Sequence, residues 1–151
     1  MMTEVTKLNS GGEAERRFSA SRLVMVDNFI FTMNSAGVNP KTGKYSPDPV
    51  EQAKQVISNF EHSLAQVGSN LADVIRMTVH IPNPADIIKI MEVVGAAFKG
   101  IDPARTVVCT PLGLKEMKLE MELLAYKGAG GAKQHRINSK LFGAGSAREP
   151  D

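Results

Sequence analysis

The stretch Val74-Ile75-Arg76-Met77-Thr78-Val79-His80-Ile81-Pro82-Asn83-Pro84-Ala85-Asp86 changes its hydrophobic period at Pro82. Before Pro82, Ile75, Met77, Val79 and Ile81 alternate with Val74, Arg76, Thr78 and His80, the period of a strand. After it, Asn83-Pro84 is a cap followed by a first-turn proline, and Asp86 brings negative charge to a helix start. Ile87, Ile90, Met91, Val94 and Phe98 continue at helical spacing until Gly100 closes the run. A strand running straight into an amphipathic helix excludes an all-α or an all-β chain.

The same grammar recurs on both sides. Upstream, Asp48-Pro49-Val50-Glu51 predicts a capped helix start with a capping box. Val50, Ala53, Val56, Ile57, Phe60, Leu64 and Val67 form its apolar stripe, and Gly68 ends it. Further upstream, Arg22–Val26 and Phe29–Met33 are β-rich runs joined by Asp27-Asn28, a pair suited to a two-residue hairpin turn. The Asn39-Pro40-Lys41-Thr42-Gly43 loop follows. Downstream, Arg105–Thr110 and Lys118–Tyr126 read as two more strands. The order is β-β-α-β-α-β-β, an α+β chain with two helices to cover one face of a single sheet. This pattern leaves the strand order open.

With 151 residues the chain is expected to hold one core, burying roughly 68–70% of its unfolded surface. A 42% hydrophobic and 23% charged composition argues against disorder, and a net charge of +2 against a dedicated nucleic-acid or membrane-surface protein. One cysteine and three scattered histidines argue against a metal site. No apolar leader or membrane-length run is visible, so the expected location is cytoplasmic. No GxGxxG or GxxxxGK[ST] motif suggests a nucleotide cofactor, and none of any kind is expected. The charge is uneven: Lys127–Asp151 carries +3 and five of the 13 glycines, leaving −1 on the rest. That divides the chain into an N-terminal segment 1–16, a domain 17–126 and a Gly-rich basic tail 127–151, expected to be dispensable for folding. Ile137, Leu141 and Phe142 are the tail's only sizeable apolar residues.

Three features rise above scaffold. Arg105, after Pro103-Ala104 at a strand start, presents a planar fork suited to a carboxylate. In the last strand Leu119, Met121 and Leu123 face one way. Lys118, Glu120, Glu122 and Leu124 face the other, offering a general base. If the last two strands pair, Arg105 and Glu122 are equally readable as cross-strand ion partners. Cys109 reads as a small buried hydrophobe rather than a nucleophile. His62 and His135 read as solvated; His80, at a strand end, reads first as a structural residue, with a cleft-facing position as the alternative.

Residues 17–126 resemble the Rid (YjgF) family of imine/enamine deaminases. The resemblance rests on the Ser21-Arg22 run, Val38-Asn39-Pro40-Lys41-Thr42-Gly43, Glu51-Gln52-Ala53 through Asn59 and Leu64, and Gly68. It continues through Asp73-Val74, Pro103-Ala104-Arg105 and Lys118-Leu119-Glu120-Met121-Glu122. It implies a chorismate-mutase-like fold and a homotrimer with helices outside and three clefts between subunits. It also implies cofactor-free hydrolysis of a small carboxylate-bearing 2-imino acid, or its enamine, to the 2-oxo acid and ammonia. Arg105 would clamp the substrate carboxylate and Glu120 would position or activate water.

Departures surround that pair. Met33-Asn34-Ser35 stands where the family commonly has Ser-Gly-Gln, with Asn34 or Ser35 as the substitute polar group. Met91 aligns with a cleft Asn, and Val107 with a Cys, Cys109 lying one strand repeat further on. An aromatic near the first strand is replaced by Ala20, with Phe18 nearby. Met33, Met91 and Val107 suit a larger, more apolar substrate. A non-hydrolytic small-molecule-binding or regulatory trimer is the alternative expectation, and an RNA-directed protein a third.

Overall fold

A computed structural model describes residues 2–139 and 141. Seven strands, β1 (Val5–Leu8), β2 (Leu23–Val26), β3 (Phe29–Thr32), β4 (Ser35–Ala36), β5 (Val74–Ile81), β6 (Ala104–Cys109) and β7 (Glu120–Tyr126), form one mixed sheet. The helices are α1 (Glu13–Arg17), α2 (Pro49–Ala65) and α3 (Ile87–Ala97). The α+β order expected from the sequence is present, with the short β1, α1 and β4 added. No described helix is long and apolar enough to cross a membrane.

The sheet order is β1-β2-β3-β7-β5-β6, with β4 also on β7. The last strand therefore lies in the middle. It pairs antiparallel with β5, and with β3 and β4 at different points of its other edge. Strand β6 pairs only with β5, in parallel. This corrects the pairing considered for the last two strands: β5 separates Arg105 from Glu122, and they are not cross-strand partners.

The helices α2 and α3 cover one face. Ala53, Val56, Phe60 and Leu64 of α2 and Ile90 and Val94 of α3 meet Leu23, Ile30, Met77, Val79, Met121 and Leu123 in one core. Leu119, Met121 and Leu123 are buried as their alternation requires. Val74 is buried and Ile75 exposed, the reverse of the expected alternation, because a bulge lies between Val74 and Arg76. Asp48 caps α2 by accepting from the Val50 N–H. The capping box is half made, since Glu51 pairs with Lys54 instead of reaching back. Asn83 caps a short 3₁₀ turn (Pro84–Asp86), so the α-helix begins at Ile87.

Two contacts fix the layers. A Cβ at Gly37 would lie 2.6 Å from the Gln52 carbonyl oxygen, so only glycine lets α2 approach β4 this closely. Gln52 itself is fully buried. Its amide donates to the Ser46 and Glu116 carbonyls, and its Oε1 accepts from the Lys118 N–H at 2.9 Å. The segment that launches β7 is thereby bolted to α2.

Packing continues past Tyr126, the boundary expected from composition. Gly128–Gly131 turns against Leu71–Asp73, and the Gly130 N–H donates to Asp73 Oδ1 at 3.0 Å. Burial pushes the Asp73 carboxyl up. Donation from Gly130, the Ser69 hydroxyl, Gly128 and Asn70 outweighs it and holds the group below its ordinary value. Beyond, Arg136 pairs with exposed Asp102, while Ile137 and Leu141 are exposed among the described residues. Phe142 lies outside the described residues.

Two outcomes follow for stability. Gly37→Ala forces the helix off the sheet and is expected to cost about 1–3 kcal/mol in urea unfolding at fixed protein concentration. An unchanged midpoint would show that α2 can retreat. A chain ending at Lys127 leaves Asp73 without its Gly130 donor and is expected to lose about 1–3 kcal/mol, contrary to dispensability of the whole tail. Among the described residues, a chain ending at Gln134 gives up the exposed Arg136 contacts with Asp102 and the Gly100 carbonyl and stays near the parent. Because the Asp73 value is depressed in the folded state, the gap between the two truncations is full above the ordinary carboxylate value and closes as pH falls below it.

Candidate functional site

Glu120 opens β7. Leu119 anchors the strand in the core just before it, and Lys118 is held by Gln52. Its Cα partners are Ala36 on β4 and His80 on β5. Met121 faces the helices, so Glu120, Glu122 and His80 belong to the open face. The carboxyl is half-buried. Burial pushes it above the ordinary carboxylate value, and His80 pulls in the opposite direction. Tyr45 comes close from beyond the Asn39–Gly43 loop, where Val38 and Tyr45 form a bridge. Burial, then the charges of Glu120 and Glu116, push its phenol up.

Two buried polar atoms lack a hydrogen-bond partner among the described residues: Asn34 Oδ1 and His80 Nδ1. Asn34 precedes Ser35, which pairs with Met121, and His80 pairs with Glu120. Both therefore flank the start of β7. Unsatisfied buried groups are rare and concentrate where a structure awaits a ligand or water.

The other sequence candidates scatter. Arg105 is exposed on β6, opposite Met77, and has no ion-pair partner among the described residues. Glu120 pairs with His80 and His80 with Val108, so Arg105 lies two strands across and three residues along. That is about 10 Å in each direction. It also shares the Met77 side of the sheet, whereas Glu120 shares the His80 side. One chain does not bring clamp and base together.

Ser35 is 5% exposed and sits on the helix-facing side with Met121, away from Glu120. It lines a separate cavity of about 440 Å³ with Val38, Asn59 and His62. Met33 is half-buried, and Met91 packs partly buried against the core rather than standing in a cleft. Val107 is 38% exposed on the edge strand. Cys109 is exposed too, correcting the buried reading; β6 has no outer neighbour to cover it. Phe18 is exposed, with the Arg17 guanidinium over its ring at 5.4 Å. Sequence reasoning missed Tyr45 and preferred a structural role for His80 over a cleft-facing one. The only signal for either was the tight loop before Tyr45 and the strand-ending Pro82 after His80. Among the described residues, no group of three or more His, Cys, Asp or Glu side chains could hold a metal ion.

A family model described as Endoribonuclease L-PSP matches residues 12–127. A RutC family protein of Pyrococcus abyssi is 36% identical over 108 residues, covering 71% of this chain and 85% of that one. A Rattus norvegicus protein named 2-iminobutanoate/2-iminopropanoate deaminase is 28% identical over 130 residues, covering 85% and 95%. Among solved structures, a Mycobacterium tuberculosis member of the YjgF/YER057c/UK114 family superimposes with a TM-score of 0.74 at 26% identity. It covers 82% of this chain and 99% of that one. By the reach of the family match and by fold, this chain belongs to the Endoribonuclease L-PSP family, also known as the YjgF/Rid family.

Proposed function

We propose that the protein hydrolyses a small 2-imino acid, or its enamine tautomer, to the 2-oxo acid and ammonia. The observation that carries this reading is Glu120: a half-buried carboxyl made more basic by burial, on an open sheet face between two unpartnered buried polar atoms. Relatives named as imine deaminases support it. In this reading the Arg105 guanidinium grips the substrate carboxylate and fixes the imine carbon. Glu120 takes a proton from water as the water oxygen adds to that carbon. That proton passes to nitrogen to give a carbinolamine; its hydroxyl proton then moves to nitrogen through the same carboxylate as the C=O bond forms, the C–N bond breaks, and ammonia leaves. No residue in this sequence requires a cofactor.

The separation of Arg105 from Glu120 makes the cleft a shared one. A cyclic trimer that sets β6 of one copy beside the β7 start of the next unites them. Val5, Phe29, Phe31 and Tyr126, each exposed on the open face, supply apolar surface for such an assembly. A carboxylate-binding trimer without turnover is the second reading. It is favoured by Ser35, whose hydroxyl is turned away from Glu120. The −1 balance outside the tail disfavours RNA as the partner. A cytoplasmic location fits the reading.

Two experiments test this. Ammonia release from 2-iminobutyrate generated in situ is expected from the parent. It should be lost in Arg105→Ala, and reduced about 10²–10⁴-fold in Glu120→Gln. Co-assembling the two inactive variants should restore turnover in roughly a quarter of the clefts, those with an intact Arg105 from one copy and Glu120 from the next. No recovery in proven mixed trimers would place both residues in one subunit's site. The second concerns pH. The base works only when ionised, so kcat/KM should fall as pH drops through the raised Glu120 value, giving an acid limb above the ordinary carboxylate range. A limb at or below that range would remove Glu120 as the base.

A further inference from the structure

The imidazole of His80 stands at the cross-strand position directly opposite Glu120. Such pairs hold their Cβ atoms about 4.5–5.5 Å apart, a spacing set by the sheet and not by side-chain choice. On its other side His80 meets Val108, which has no polar group to offer. Its Nδ1 is buried and makes no hydrogen bond among the described residues. A ring nitrogen left in that state beside a half-buried carboxyl is not a satisfied scaffold residue. We propose that His80 is the positioning residue of Glu120, its imidazole orienting the carboxyl across the β5–β7 pair for a water molecule. The same neighbour opposes burial in favour of the ionised carboxylate.

The groups around Glu120 leave His80 in that role. Arg76, further along β5, is opposite Leu124 and donates to the Thr106 hydroxyl at 2.8 Å. Arg105 belongs to the far side of the sheet. Lys118 lies on the segment held by Gln52. Glu122 and Glu116 are acids and only oppose a second negative charge. Tyr45, its phenol pushed up by burial and by the charges of Glu120 and Glu116, stays neutral. Histidine is also the side chain whose charge changes near neutral pH, so it is suited to tuning a base during turnover. This assignment rests on the imine-hydrolysis reading.

The test is a titration that needs no turnover. The Glu120 carboxyl is followed by ¹³C NMR in the full-length parent, in His80→Phe, which fills the space without charge, and in His80→Gln, which keeps a hydrogen bond. Glu120 is expected to titrate higher in both variants than in the parent. In kinetics, kcat/KM of His80→Phe should fall about three- to tenfold near pH 5.5 and stay within about twofold near pH 8, with KM unchanged. His80→Gln should likewise keep kcat near pH 8 and show the same displaced acid limb. An identical Glu120 titration in parent and His80→Phe overturns the proposal, as does an equal loss at both pH values. A parent that releases no ammonia overturns the deaminase reading instead, and the NMR titration still decides whether His80 governs Glu120.

Discussion

Much of the molecule hangs on one buried amide. Gln52 lies fully buried on the covered side of α2, and it spends its hydrogen bonds on the Ser46 and Glu116 carbonyls and the Lys118 N–H. Those bonds are strong because water is absent, and the partners would be costly to strand. They require α2 to lie against the sheet at a distance that Gly37 alone permits. Helix position, the path of the Glu116–Lys118 segment and the point at which β7 begins are therefore one constraint. The setting of Glu120 is its last consequence.

That constraint separates what the sequence shows from what it conceals. Periodicity and caps are local, so the two long helices, the Asp27-Asn28 hairpin and the alternating strands were readable from residues close in the chain. Faces were readable as well: Leu119, Met121 and Leu123 went inward as their spacing demanded. Neighbours across the sheet were not. A period of two says which side a residue takes and nothing about which strand lies beside it. The placement of β5 between β6 and β7 separated Arg105 from Glu122 and joined His80 to Glu120. Cys109 was misread for the same reason, since a strand at the edge of a sheet has the composition of a covered one. The bulge at Val74–Arg76 reversed the alternation locally, which no spacing rule foresees.

The candidate site was legible only as residue types. Arg105 and Glu120 were singled out by residue type alone, a fork suited to a carboxylate and a carboxyl suited to proton transfer. Their relation is set by topology, and within one copy that topology divides them between the two sides of the sheet. Tyr45 and His80 carry no sequence signature beyond a turn and a terminating proline. Their meaning comes from burial near a carboxyl, a property that exists only once the strands are assembled.

The central position of β7 also orders events during synthesis. Strands β3 and β5 flank it, yet β3 is complete at Thr32 whereas β7 ends at Tyr126. At roughly 5–20 residues per second, a ribosome holds the chain for about 5–20 s with the inner edge of β3 open and about 2–9 s with that of β5 open. The α2 and α3 helices form from nearby residues in the meantime, but the sheet they cover has a gap in the middle. Pairing across that gap spans most of the chain, so its closure carries a large loop entropy and is slow. The nascent protein thus passes through a stage in which two strand edges and half a core are accessible, and chaperone demand is concentrated in the moments before the last strand leaves the exit tunnel.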